Sequence, residues 1–202
     1  MPRISADRLA NRKRDIVAAA RTVFTERGYE KSTMIDIAKQ AGVSDGLAYR
    51  YFTSKRDLLQ AVLDEFYARI IAHGEECVAR ETGFFARLDT LIREHVRLLV
   101  EDTGLVRLFI TEVRSLEGYR GSRTHELNRR YTSIFTGIIA EGAAQKLIDP
   151  ELDSRLIRDL IFGGVEHLAW RRILSNQPVD VEKVASDICN VLLNGIRRGE
   201  PQ

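Results

Sequence analysis

Cysteine is scarce: Cys77 and Cys189 are the only two in 202 residues. They stand far apart on helical patterns, with no metal-ligand spacing around them, and read as buried or half-buried thiols. No metal and no cofactor is expected. Four prolines and 14 glycines are too few for a linker-rich or disordered chain. No apolar run reaches the ~18 residues of a membrane span. The N-terminus lacks the apolar core of a secretory signal. A cytoplasmic protein with no membrane partner is therefore expected. Internal repeats and low-complexity segments are absent too.

Catalytic signatures are also missing. There is no G-x-S-x-G, H-E-x-x-H, P-loop or dinucleotide fingerprint. The nearest constellations are Glu166-His167 and Asp187 near Cys189. Neighbours one or two apart on a helix point in different directions, so neither makes a site. His95, His125 and His167 show no metal-ligand pattern. No catalytic residue is assigned, and an enzyme is not expected.

Net charge is small, +2 from 31 basic against 29 acidic residues. Its distribution is uneven. Residues 1–56 hold 12 Lys and Arg against 6 Asp and Glu, and residues 57–202 hold 19 against 23. A head of net charge +6 thus sits on a body of −4. Arg8, Arg12, Lys13 and Arg14 open that head. Such heads attract phosphate backbones through counterion release.

Ser32 to Asp57 carries the most information. Thr33 with Asp36 is a capping signature for a helix running to about Ala41. Gly42 suits the left-handed position that ends it. Ser44 caps the next helix, which Asp45 and Gly46 open. Ser54 and Asp57 repeat the capping box and start another. The turn Gly42-Val43-Ser44 has the length of a helix-turn-helix. Small Ala38 lets the two helices cross closely. The second helix is expected to present Tyr49, Arg50 and Tyr51 outward, beside Gly46 and Ala48. Tyrosine hydroxyls and Arg or Lys bond phosphates, and Arg reads a guanine edge.

The rest is helical. Leu9, Ile16, Ala20, Val23 and Phe24 mark a helix ending at Gly28, which braces the motif into a three-helix unit. A stripe from Leu58 to Ile71 predicts a long helix from Lys55 to about His73. Leu88 to Leu99, Leu105 to Val113, and Leu127 to Ile139 mark three more helices, with a loop at Gly118, Gly121 and Ser122. Asp149-Pro150 predicts the next helix start, an N-cap followed by proline at the first helical position. That helix is expected to reach about Ser175, and Asp180 caps a last one. The last two helices are apolar over more of their circumference than one core needs. Their mid-helix glycines cost roughly 1 kcal/mol each against alanine. They read as a dimer interface through Leu160, Gly163, Gly164, His167, Ile188 and Leu192, a four-helix bundle with two from each chain.

Residues 12–66 resemble the DNA-binding domain of TetR-family repressors. The shared pattern is Phe24, Gly28, Thr33, Ile37-Ala38, Ala41-Gly42-Val43-Ser44, Gly46, Tyr49, Phe52, Ser54-Lys55 and Leu58-Leu59. Ala48 stands where leucine is commoner. The resemblance implies an all-α protein: a helix-turn-helix domain over 8–54 and a ligand-binding and dimerisation domain over 55–200. It implies a homodimer on a palindromic double-stranded DNA operator. The candidate DNA contacts are Ser32, Thr33, Ser44, Asp45, Gly46, Leu47, Tyr49, Arg50 and Tyr51, with Lys55 holding a phosphate.

The body is similar to the fatty-acid-responsive FadR branch at Phe109 to Arg114, Leu147 to Pro150, and Phe162 to His167 with Trp170. That resemblance implies a tunnel for a small hydrophobic effector, a long acyl chain carried as acyl-CoA. The candidate lining is Leu91, His95, Phe109, Val113, Tyr131, Ile134, Phe135 and Phe162. Arg107, Arg114, Arg129 or Arg130 stand ready for a phosphate or carboxylate at the mouth. A drug or aromatic effector stays open at this point, as does a DNA-binding protein with no ligand.

Overall fold

The computed structural model describes residues 6–175 and 178–196. Among them are nine α-helices, one 3-10 turn and no strand. The helices are α1 (Ala6–Arg27), α2 (Met34–Gln40), α3 (Asp45–Tyr51), α4 (Lys55–Arg80), α5 (Phe84–Glu101), α6 (Thr103–Thr111), α7 (Arg123–Ala144), α8 (Ser154–Ser175) and α9 (Val181–Ile196), with the 3-10 turn at Val113–Ser115. The chain divides into two compact units. One comprises residues 1–68 with 107–125, the other 69–106 with 126–202. The boundary cuts α4, α6 and α7, so each of these helices contributes to both units. The expected division at 54/55 is therefore not a division of packing. The end of the expected 55–200 domain, residues 197–200, lies outside the described residues.

In the first unit α1 packs on α2 and α2 on α3. Their shared core is Ile16, Ala20, Phe24, Ile37, Ala38 and Ala48, each with no measurable exposure. The caps form as the residue types dictate. Thr33 Oγ1 accepts from the Asp36 amide at 3.1 Å, and the Asp36 carboxylate accepts from the Thr33 amide at 3.0 Å. Ser44 Oγ accepts from the Leu47 amide at 3.3 Å. At the end of α2, Gly42 adopts φ +64. Its amide and that of Val43 donate to the Lys39 and Ala38 carbonyls, satisfying two helix-end acceptors at once. Ala48 lies inside, not on the outer face. A residue one turn from the Ser44 cap faces the other helices, and its methyl is what the core there accommodates.

The start of α4 is a variant of the expected box. Ser54 Oγ accepts from the Asp57 amide at 3.0 Å, while Asp57 accepts from the amide of Thr53, one residue earlier than expected. The helix runs past His73 to Arg80, its outward side polar and Cys77 still buried.

In the second unit α5 packs against α8 and α9. Leu88, Leu91, Ile92, Phe135, Ile139, Ile148, Ile161 and Val165 form its core. The expected start of α8 at Asp149-Pro150 is corrected by the structure. Asp149 and Leu152 close a turn, with the Leu152 amide 3.2 Å from the Asp149 carbonyl. Proline presets the turn's second position with the same φ it would have had in a helix. Asp153 is the cap, accepting from the Arg155 amide at 2.8 Å. Asp180 caps α9 as expected, accepting from the Lys183 amide at 3.0 Å.

Candidate functional site

The second helix of the motif, α3, is short and held from behind. Ala48 and Phe52 anchor it, while Asp45, Gly46, Tyr49 and Arg50 are exposed and Leu47 and Tyr51 half-buried. Tyr49 keeps 51% of its surface in solvent, a large aromatic left uncovered at a helix surface. Thr33 and Ser44, the caps of α2 and α3, are exposed. Helix N-termini direct unpaired amides outward, which suits phosphate oxygens. The structure thus brings Thr33, Ser44, Asp45, Gly46, Tyr49 and Arg50 to the surface of one capped pair of helices.

Two expected contacts are placed differently. Ser32 is 2% exposed, and its hydroxyl donates to the Gly28 carbonyl at 2.5 Å. Its side chain is committed to the α1–α2 turn and is not presented to DNA. Lys55 is half-buried. Its ammonium donates to the carbonyls of Tyr29 at 2.7 Å and Glu30 at 3.3 Å, and sits 4.2 Å from the Tyr29 ring centroid. It first holds the turn, leaving one N–H for any phosphate.

No local sequence pattern marks the partners of Glu112. Its carboxylate accepts from the amides of Tyr29 at 2.8 Å and Glu30 at 3.2 Å. Arg107 donates to the Thr25 carbonyl. Arg56 donates to the Glu117 carbonyl at 3.0 Å. Residues 107–117 thus clamp the α1–α2 turn and the start of α4 within the first unit. Arg107, Phe109, Val113 and Arg114 belong to this unit. Phe109 stacks edge-on between Tyr67 and Tyr119, and Val113 is 2% exposed. Arg107 thus serves the clamp, Val113 is buried and Phe109 half-buried in this unit, and none of the four lines the cavity of the second unit described below. The unit boundary falls just before Arg107, a position that no periodicity marks.

The other expected lining residues meet in the second unit. His95, Tyr131, Phe135 and Phe162 form one aromatic cluster, with His95 and Phe162 centroids 4.3 Å apart and Phe135 and Phe162 4.9 Å apart. His95 Nδ1 and the Tyr131 hydroxyl lie 3.1 Å apart. Burial pushes the His95 imidazole down to about 4 and the Tyr131 phenol up, so both are neutral across the physiological range. This is a packed cluster and not an open tunnel. Beside it lies a cavity of about 210 Å³, floored by Ile70, Gly74, Leu91, Leu98 and Tyr131. Ile134 reaches to 3.3 Å from where a Gly74 side chain would begin. The cavity rim is polar: Arg69, His73, Glu94, Arg97 and Glu101. Arg69 pairs with buried Asp102, and Arg97 bridges Glu94 and Glu182. These arginines, and not Arg107 or Arg114, edge the cavity. Arg130 pairs with Glu75 at 3.1 Å.

On α8, Leu160, Gly163, Gly164 and His167 are all exposed, with Leu156 and Leu160 at 55% and 56%. These positions recur at helical spacing and share one face. A Cβ at Gly163 or Gly164 would meet nothing within 4 Å. On α9, Ile188 and Leu192 are half-buried, and Val191 is 74% exposed. Surfaces this apolar mark interaction sites. Among the described residues no helix is long and apolar enough to cross a membrane.

Residues 16–62 match the family model described as bacterial regulatory proteins, tetR family. Residues 81–196 match one described as tetracyclin repressor-like, C-terminal domain. The chain is 32% identical to the fatty acid metabolism regulator protein of Bacillus subtilis, over 90% of this chain and 93% of that one. It is 27% identical to the HTH-type transcriptional repressor KstR2 of Rhodococcus jostii, over 93% and 92%. Its fold is similar to that of the transcriptional regulator FadR from Bacillus subtilis, solved in complex with stearoyl-CoA. That likeness has a TM-score of 0.82 at 32% identity and covers 91% of this chain and 99% of that one.

Proposed function

Because the chain belongs to the TetR family of bacterial regulatory proteins, transcription regulators and not enzymes, we propose that it is a homodimeric repressor released from a palindromic operator by a long-chain acyl-CoA. The observation that carries the DNA part is the capped α2–α3 pair, with Tyr49 and Arg50 exposed on a basic head. Arg50 is the base reader, and the exposed cap ends of α2 and α3 position the backbone. Two such motifs, one per protomer, enter successive major grooves ~34 Å apart. The exposed face of α8 supports the dimer, an isologous contact in which Gly163 and Gly164 admit the partner helix closely.

The effector reading rests on the likeness to a regulator solved with stearoyl-CoA, and on the cavity beside Tyr131. At about 210 Å³ that cavity is below the ~300 Å³ at which ligand sites begin. A long acyl chain therefore enters only by parting the rings of His95, Tyr131, Phe135 and Phe162. That requirement is the mechanism proposed. The packed cluster belongs to the DNA-binding state, and the chain-filled cavity belongs to the released one. The effector shifts the balance only by its preference for the open cluster, and a swing from 1:99 to 99:1 takes about 5.5 kcal/mol of such preference. Arg69 and Arg97 on the rim suit the phosphates of the carrier.

The test is a footprint on the DNA flanking the protein's own gene, with and without stearoyl-CoA. A palindromic footprint lost on adding the thioester supports both halves of the proposal. A footprint indifferent to the thioester keeps the repressor and discards the acyl effector. Absence of any footprint there, or at genome-wide selected sites, refutes the operator reading.

A further inference from the structure

His73 and Cys77 stand four residues apart on α4, so both side chains rise from one helical face. Glu94 of α5 reaches the same point. Its Oε2 is 2.8 Å from His73 Nε2, and Cys77 Sγ is 3.6 Å from that nitrogen. One ligand atom from each residue lies within 4.8 Å of the other two. Among the described residues no other group of three His, Cys, Asp or Glu side chains converges so closely.

We propose that His73, Cys77 and Glu94 form a binding site for a divalent transition ion of the zinc type. The donor set selects the ion. A thiolate, an imidazole and a carboxylate together suit a borderline-soft cation, whereas calcium and magnesium take oxygen alone. The spacing fits as well. Donors about 2.0–2.3 Å from a tetrahedral ion lie roughly 3.3–3.7 Å from one another. Two of the three separations lie within half an ångström of that range, and the third, between Cys77 and Glu94, is at most 4.8 Å.

The surroundings resemble a ligand shell more than a chance surface pair. Cys77 is 9% exposed, and the Glu94 side chain 17%, so two donors are partly desolvated. His73 is 53% exposed and gives an ion access from solvent. The second carboxylate oxygen of Glu94 is held by Arg97, whose other nitrogen reaches Glu182 at 3.0 Å. That outer contact fixes the carboxylate while leaving Oε2 for the ion. A plain His–Glu ion pair explains the 2.8 Å contact but not the sulfur beside the same nitrogen. Arg97 also lowers the affinity for a cation, so the site suits reversible occupancy. Three protein ligands leave a tetrahedral ion one open position. His73 and Glu94 also line the cavity, so a bound ion borders the place given to the effector. The ion site itself does not rest on the acyl reading.

The experiment is a titration of the full chain with cobalt(II), followed by near-ultraviolet absorption. A thiolate-to-cobalt charge-transfer band should grow to one ion per chain and be displaced by zinc. It should vanish in Cys77→Ser, and in His73→Gln the affinity should fall about tenfold or more. His73 is exposed, so His73→Gln keeps the test sound even if Cys77→Ser disturbs the packing. No thiolate band in the wild type overturns the proposal, and so does a band unchanged by both substitutions.

Discussion

Replacing His95 with asparagine separates the imidazole's titration from its hydrogen bond. The asparagine amide can take the place of Nδ1 toward the Tyr131 hydroxyl, which lies 3.1 Å from it. Burial among Tyr131, Phe135 and Phe162 pushes the imidazole from the ordinary 6.5 down to about 4. Between those values the unfolded chain binds a proton that the folded chain refuses. Stability therefore rises with pH across this window and is lost as pH falls, by about 1.4 kcal/mol per unit. Over the whole window the term approaches about 3 kcal/mol. His95 is not fully sealed from solvent, so about 2 kcal/mol between pH 7.5 and 4.5 is the fair expectation. The assay is urea unfolding at fixed protein concentration, so that any self-association weighs equally on both proteins. The asparagine variant should be less stable at pH 7.5, having lost ring packing, and should converge on the wild type as the pH falls. Parallel profiles for the two proteins would refute the reasoning. So would a proton-resonance titration of His95 near 6.5.

Other expectations follow from single contacts. Arg50→Ala should weaken operator binding about 10–100-fold by gel shift and relax the base preference at one position per half-site; unchanged affinity means Arg50 reads nothing. Glu112→Ala leaves the Tyr29 and Glu30 amides without their acceptor. It should cost about 1–3 kcal/mol, and those two amides should lose hydrogen-exchange protection ahead of their neighbours. Leu160→Glu should convert the dimer to monomer in sedimentation, and a dimer that survives places the interface elsewhere. Gly142→Ala drives a Cβ into the buried Phe84 ring and should lower stability by about 1–3 kcal/mol in urea.

The sequence was most legible where structure is local. Thr33, Ser44 and Asp180 cap the helices they were expected to cap, because each bonds an amide three residues away. The family and the all-α fold followed from the same motif. Asp149-Pro150 misled because Asp153 offers a second cap four residues later, and proline's fixed φ serves a turn as well as a helix. The body was harder to read. A periodic stripe says which face of a helix is buried, not which residues it meets. Phe109 and Val113 were therefore grouped with Tyr131 and Phe135, although a packing boundary separates their units. Lys55 and Ser32 looked like contacts for DNA because the carbonyls that Lys55 bonds lie 25 and 26 positions away and the turn that Ser32 bonds is irregular. The Glu112 clamp spans 83 positions and leaves no trace in any local window. The approach of His73 and Cys77 to Glu94 was not legible, since the three donors meet only once α5 lies beside α4.

The first unit is assembled from two separate stretches of chain. A DNA-reading head cut out at residue 54, or even at residue 68, would leave its own buttress behind. Tyr67 would lose the ring of Phe109, and the α1–α2 turn would lose Glu112 and Arg107. Anyone exchanging heads between relatives to redirect which genes an effector controls must therefore transplant residues 107–125 with the first 68, or redesign both sides of the joint. Recombination faces the same constraint, since a single crossover after the motif pairs one head with another protein's buttress. Under the proposed reading, in which α3 meets the operator, new specificity is more readily reached by substitution on the exposed face of that helix than by trading modules.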